Sequence, residues 1–102
     1  MEKDKHTTDI NFRVEKSNKE VFALFPHEVC TYEGDVTVYQ HIGQHMSADY
    51  RHCLSTSRPA KESEYKDLKQ EMENMGYNIK VVVKQNYDKY LESYKEVNGW
   101  RV

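Results

Sequence analysis

"EVFALFP", residues 20 to 26, sets apolar groups on both sides of an extended backbone, with Val21, Ala23 and Phe25 on one side and Phe22 and Leu24 on the other. A strand with one wet face alternates apolar and polar residues, whereas a strand apolar on both faces has to be covered from above and from below. The segment therefore predicts a central strand of a sheet with cover on each face. Pairing is expected to end at Pro26, whose nitrogen has no hydrogen to donate.

Upstream, Ile10, Phe12 and Val14 alternate with Asn11, Arg13 and Glu15, which predicts a half-buried strand whose polar side faces water. "KSNK", 16 to 19, is the turn between the two strands. Residues 1 to 8 are charged and aperiodic and predict a flexible lead, leaving 9 to 102 as one domain. Downstream, "DVTVYQHIG", 35 to 43, puts Val36, Val38 and Ile42 on one face and Thr37, Tyr39 and His41 on the other, a third strand of an antiparallel meander. Gly43 permits a sharp change of direction. Ser47 is expected to cap a short helix with Asp49 in its first turn and Tyr50, Cys53 and Leu54 along one side.

"STSRPAK" interrupts the chain before the strongest helical pattern, residues 61 to 75, where Tyr65, Leu68, Met72 and Met75 draw one apolar stripe and Gly76 stands ready to end it. "YNIKVVVK" predicts a fourth strand with Tyr77, Ile79, Val81 and Val83 inward. "NYDKYLESYKEVNG" predicts a last helix with Tyr87, Tyr90, Leu91, Tyr94 and Val97 on one face and Asn98-Gly99 as its stop. Together these give an α+β fold: a four-stranded, mainly antiparallel sheet built as a three-strand meander, a helical crossover and a fourth strand, with the 61–75 helix on one face. The C-terminal helix then covers the other face, over Phe22, Leu24 and Val82, or offers its tyrosines to a partner.

A chain of 102 residues that is 37% hydrophobic and 31% charged supports one domain with one modest core. It contains no apolar run long enough to span a bilayer, and the polar start is unlike a secretory leader, so a cytoplasmic address and no membrane partner are expected. The formal charge of −2 is spread along the chain without a basic stripe, which points away from nucleic acid.

The segments "ALFP" (23–26), "HIGQHMSADY" (41–50), "SRPA" (57–60) and "EYKDLKQEMENMGYNIKV" (64–81) resemble a family of small uncharacterised bacterial proteins, many carried by gut bacteria and mobile elements. The resemblance covers roughly residues 12 to 83 and implies a shared fold. It supplies no activity, cofactor or catalytic residue.

Residues 39 to 53 hold three of the five histidines and one of the two cysteines. Zinc is one reading of this richness, with His27, Cys30, His41 and His45 as the ligand set, because imidazole and thiolate are its usual ligands. The spacing argues against it: His41 and His45 would stand about 13 Å apart on a straight strand, and His52 and Cys53 diverge by about 100° on a helix. A small hydrolase or transferase would use Cys53 or Cys30 as nucleophile, His41 or His45 as base and Asp49 to orient it, yet Cys53 falls on the apolar side of its helix, where a thiol packs. The remaining reading makes this segment a structured corner in which His45 and Gln44 satisfy open amides where strand becomes helix. Eight tyrosines exceed what a core of this size needs, and tyrosine is a favoured contact residue. The sequence thus points to a non-enzymatic interaction or accessory protein without a cofactor. It would contact a protein partner or a second copy through His41, His45, Asp49, Tyr50, Tyr87, Tyr90 and Tyr94.

Overall fold

The computed structural model describes residues 7–40 and 44–99. The chain order is β1 (Thr8–Glu15), β2 (Val21–Val29), β3 (Val36–Gln40), β4 (Gln44–Ala48), α1 (Tyr50–Thr56), β5 (Ser57–Pro59), α2 (Glu62–Asn74), β6 (Ile79–Val81) and α3 (Tyr87–Val97). One mainly antiparallel sheet runs β4-β3-β2-β1, and the outer edge of β1 is divided between two short strands. β5 pairs antiparallel with Arg13–Glu15, and β6 pairs parallel with Thr8–Ile10. The α+β class, the mainly antiparallel sheet and the C-terminal helix are as the sequence predicts, whereas the topology differs: the meander runs on into β4, and β5 joins the edge of β1 before α2 begins. The expected four strands are six, because β4 and β5 are too short or too polar to show an alternating pattern.

β2 lies inside the sheet and is covered on both sides, as its double apolar pattern requires. On one face Ile10, Phe12, Ala23, Phe25 and Tyr39 pack under Leu68 and Met72 of α2, with Tyr65 stacked on Phe12 at 4.5 Å. On the other, Phe22, Leu24, Val36 and Val38 lie under Tyr50 and Cys53 of α1 and Tyr90, Tyr94 and Val97 of α3. Each large side chain so buried contributes about 1.5–3 kcal/mol. The tyrosine helix therefore folds back onto its own sheet. Val82 is not part of that layer; its amide donates to Ile10 O at 2.9 Å. Met75 and Val83, both expected inward, are 48% and 60% exposed, since each lies just beyond the end of its element.

Pro26 does not end β2. Leu24 pairs with Val38 and Val29 with Val36, so the strand bulges over the intervening residues and resumes pairing after them. A bulge leaves amides out of the ladder, which is where a residue without N–H can sit. Thr8, placed in the flexible lead by its polarity, is the first residue of β1, its amide bonded to Asn78 O at 2.8 Å. Ser47 lies in β4, and the cap of α1 is Asp49, whose carboxylate accepts from the His52 amide at 2.9 Å.

The polar side of β1 is buried. Asn11 is 1% exposed and Arg13 6%, both on the face covered by α1 and α3 rather than in water. The Arg13 guanidinium donates to Ser57 Oγ (2.6 Å), Asn11 Oδ1 (3.0 Å), Ser57 O (2.9 Å) and Leu54 O (3.4 Å), all of them neutral oxygens. Asn11 in turn donates to Val82 O at 2.9 Å and accepts from Gln85 Nε2 at 3.0 Å, and Gln85 Oε1 accepts from the Tyr50 hydroxyl at 2.5 Å. This network joins β1 to the α1–β5 junction and to the segment leading into α3. Burial pulls the Arg13 guanidinium below its ordinary value, with Cys53 and Tyr50 acting the other way.

Candidate functional site

Three parts of the chain that are distant in sequence line one cavity of about 310 Å³ beside α3. α3 supplies Tyr87, Tyr90, Leu91 and Tyr94, brought to one side by helical spacing; its cap is Asn86, whose side chain accepts from the Lys89 amide at 3.2 Å. The start of α1 supplies Asp49, Tyr50 and Arg51, and the β2–β3 loop supplies Glu33, Gly34 and Asp35.

Tyr90 is the central ring. It stacks on Tyr50 at 4.7 Å, on Tyr87 at 5.7 Å and on Tyr94 at 6.5 Å, with interplanar angles of 14°, 23° and 21°. The four rings are thus close to parallel. The Tyr90 hydroxyl donates to Gly34 O at 2.8 Å, which fixes the loop against the helix. Gly34 has φ of +99°, and a Cβ there would lie 2.6 Å from the Tyr90 oxygen, so only glycine fits both the turn and the approach. Tyr87, at 52% exposure, opens the cavity to solvent.

Three carboxylates and one guanidinium surround these rings. Among the described residues no ion pair involves Glu33, Asp35, Asp49 or Arg51, so negative charge is in surplus there. The field reaches the aromatic wall. Burial pushes the Tyr90 hydroxyl above its ordinary value, and Tyr87, Asp49, Tyr94 and Asp35 add to the shift in that order. Tyr50 is raised by burial and then by Tyr90, with Arg13 opposing.

Of the residues singled out from sequence, Asp49, Tyr50, Tyr87, Tyr90 and Tyr94 therefore meet in one place. His45 does not join them. It sits in β4 opposite Tyr39, tilted against that ring at 4.7 Å, with Nε2 2.8 Å from the Tyr77 hydroxyl, on the α2 face of the sheet. Its expected role at the strand-to-helix corner is corrected, because the chain continues as β4 for three residues beyond it. His41 lies outside the described residues.

The other proposed ligands are dispersed as well. His27 Nδ1 is 2.8 Å from Asp9 Oδ2, and Cys30 is exposed at the end of β2. Among the described residues no group of three or more His, Cys, Asp or Glu is arranged to hold a metal ion. Cys53 is packed in the layer under α1 and α3, on the opposite face from His45, and burial pushes its thiol up to about 11. A nucleophilic cysteine has its pKa lowered, and this one is raised.

Sequence reasoning missed the β2–β3 loop, where Glu33 and Asp35 flank a glycine in what reads as a plain turn. It also missed Arg13, Asn11 and Gln85, which hold Tyr50 from beneath. No family model, no curated protein and no solved structure matches this chain. Among the described residues no helix is long and apolar enough to cross a membrane.

Proposed function

We propose that this chain is a small cytoplasmic interaction protein, acting by binding rather than by turnover, and that the tyrosine pocket beside α3 is its recognition site. The observation that carries the reading is the convergence of Asp49 and Tyr50 with Tyr87, Tyr90 and Tyr94 around one open cavity. Tyrosine gives a large contact area with few rotatable bonds, and half-exposed rings at the mouth of a cavity suit a surface that binds another molecule. The ring stack and the Gly34 contact hold this surface in shape before anything binds, which lowers the ordering cost of association.

Affinity capture from bacterial lysate tests the reading. The intact protein is expected to retain a defined partner that Tyr87→Ala loses and His45→Ala keeps, with all three proteins melting cooperatively. Retention of the partner by Tyr87→Ala overturns the pocket. Reproducible turnover on hydrolase or transferase substrates, abolished by Cys53→Ser or His45→Ala, overturns it in favour of an enzyme.

A further inference from the structure

We propose that the tyrosine pocket holds the guanidinium group of an arginine side chain presented by a partner protein, a reading that rests on the pocket being the recognition site. Ring geometry and charge select this ligand class independently. The near-parallel rings centred on Tyr90 are stacked on one another, so the electron-rich wall left to a ligand is the half-exposed Tyr87 ring, backed by that stack. A planar, delocalised cation lies flat against such a wall, whereas a compact ammonium gains less from it and is held more strongly by water. Glu33, Asp35 and Asp49 outnumber Arg51 on the rim, and a guanidinium offers them a fork of N–H donors in the geometry that carboxylates accept. An anion would meet the carboxylates as like charges. A neutral ring would cover them without returning their hydrogen bonds.

What accompanies the guanidinium distinguishes its source. Free arginine brings an α-ammonium with its α-carboxylate, two strongly hydrated groups that must stay in water beside the rim, while a side chain within a polypeptide brings neutral backbone that can also cover the half-exposed Tyr87 ring. The groove on the α2 face, lined by Glu20, Asp67 and Glu71, has carboxylates without an aromatic wall and serves as an internal control.

The test is an amide NMR titration of the intact protein with N-acetyl-glycyl-arginyl-glycinamide, its lysyl and glutamyl counterparts, and free L-arginine. The arginyl peptide is expected to bind in about the millimolar range, appropriate to one side chain, with shifts centred on Gly34, Asp35 and Tyr90. Asp35→Asn is expected to weaken it about fivefold, the equivalent of one exposed charge pair, and Asp67→Asn to leave it unchanged. Equal binding of the lysyl or glutamyl peptide, or no localised shifts, overturns the guanidinium. Equal binding of free L-arginine overturns the partner protein as its source. If the arginyl peptide fails while Tyr87→Ala still abolishes partner capture, the guanidinium falls and the pocket stands; if both fail, the pocket falls with it.

Discussion

Replacing Arg13 with alanine is expected to be among the most damaging single changes in the protein, although on sequence it looks like a surface arginine on a strand. Its guanidinium makes three short hydrogen bonds, at 2.6, 2.9 and 3.0 Å, and a longer one at 3.4 Å, joining β1 to the α1–β5 junction. Hydrogen bonds to a charged group are each worth about 1.5–3 kcal/mol net of lost hydration, and they act together here rather than additively, so about 3–5 kcal/mol is expected. Against a domain stability of about 5–15 kcal/mol that is a large fraction. The lost side chain also leaves Ser57 O and Leu54 O without this donor, while Asn11 Oδ1 keeps its bond from Gln85. Arg13→Met separates the contributions, since it keeps the packed stem and removes both the guanidinium and the cost of burying it; its loss should fall between wild type and alanine. Urea unfolding followed by far-ultraviolet circular dichroism reads the difference, and a melting shift of about 12 °C or more is the thermal counterpart for Arg13→Ala. A loss below about 1 kcal/mol for Arg13→Ala, with an unchanged denaturant slope, would refute the view that this network holds the sheet to the α1 layer.

Truncation after Lys84 removes α3 and uncovers Phe22, Leu24, Val36 and Val38, so the shortened chain is expected to aggregate or lose cooperative unfolding; a stable, monomeric truncated protein in sedimentation would contradict the packing of α3. Iodoacetamide at mildly alkaline pH should modify one thiol of the native protein, at exposed Cys30, and both after denaturation, because Cys53 is buried with its thiol raised to about 11. Glu64 is held down to about 2 by its hydrogen bond from Arg58 and then by the Lys61 amide. Its contribution is full above the ordinary carboxylate value of about 4.3 and is lost as pH falls from there through about 2. The melting difference between wild type and Glu64→Gln should therefore close over that acid range, and a difference that persists unchanged at pH 2 would count against the pair. Addition of zinc is expected to leave the melting temperature unchanged; a rise would restore the histidine and cysteine ligand set as the site.

The apolar pattern of Val21 to Phe25 determines that β2 is covered on both faces, and the stripes Tyr65-Leu68-Met72 and Tyr90-Tyr94-Val97 identify the helices that cover it. These are local matters: burial acts on each element with its own period, so the period is written in consecutive residues. The fate of Arg13 is not local. A charged residue on a strand reads as solvent-facing until acceptors are found for it, and here Leu54 and Ser57 come from more than forty positions away. The short strand β5 escaped for the same reason, since three residues carry no period and it exists as a strand because β1 has an open edge to pair with. In the pocket, the residue types were legible and the place was not. Asp49 and Tyr50 stand nearly forty positions along the chain from Tyr87, with the whole α2 crossover between them, and only the return of α3 over β2 stacks Tyr90 on Tyr50. Gly34 became significant only then, because an unremarkable turn glycine is required once a tyrosine hydroxyl approaches within the space of a methyl group.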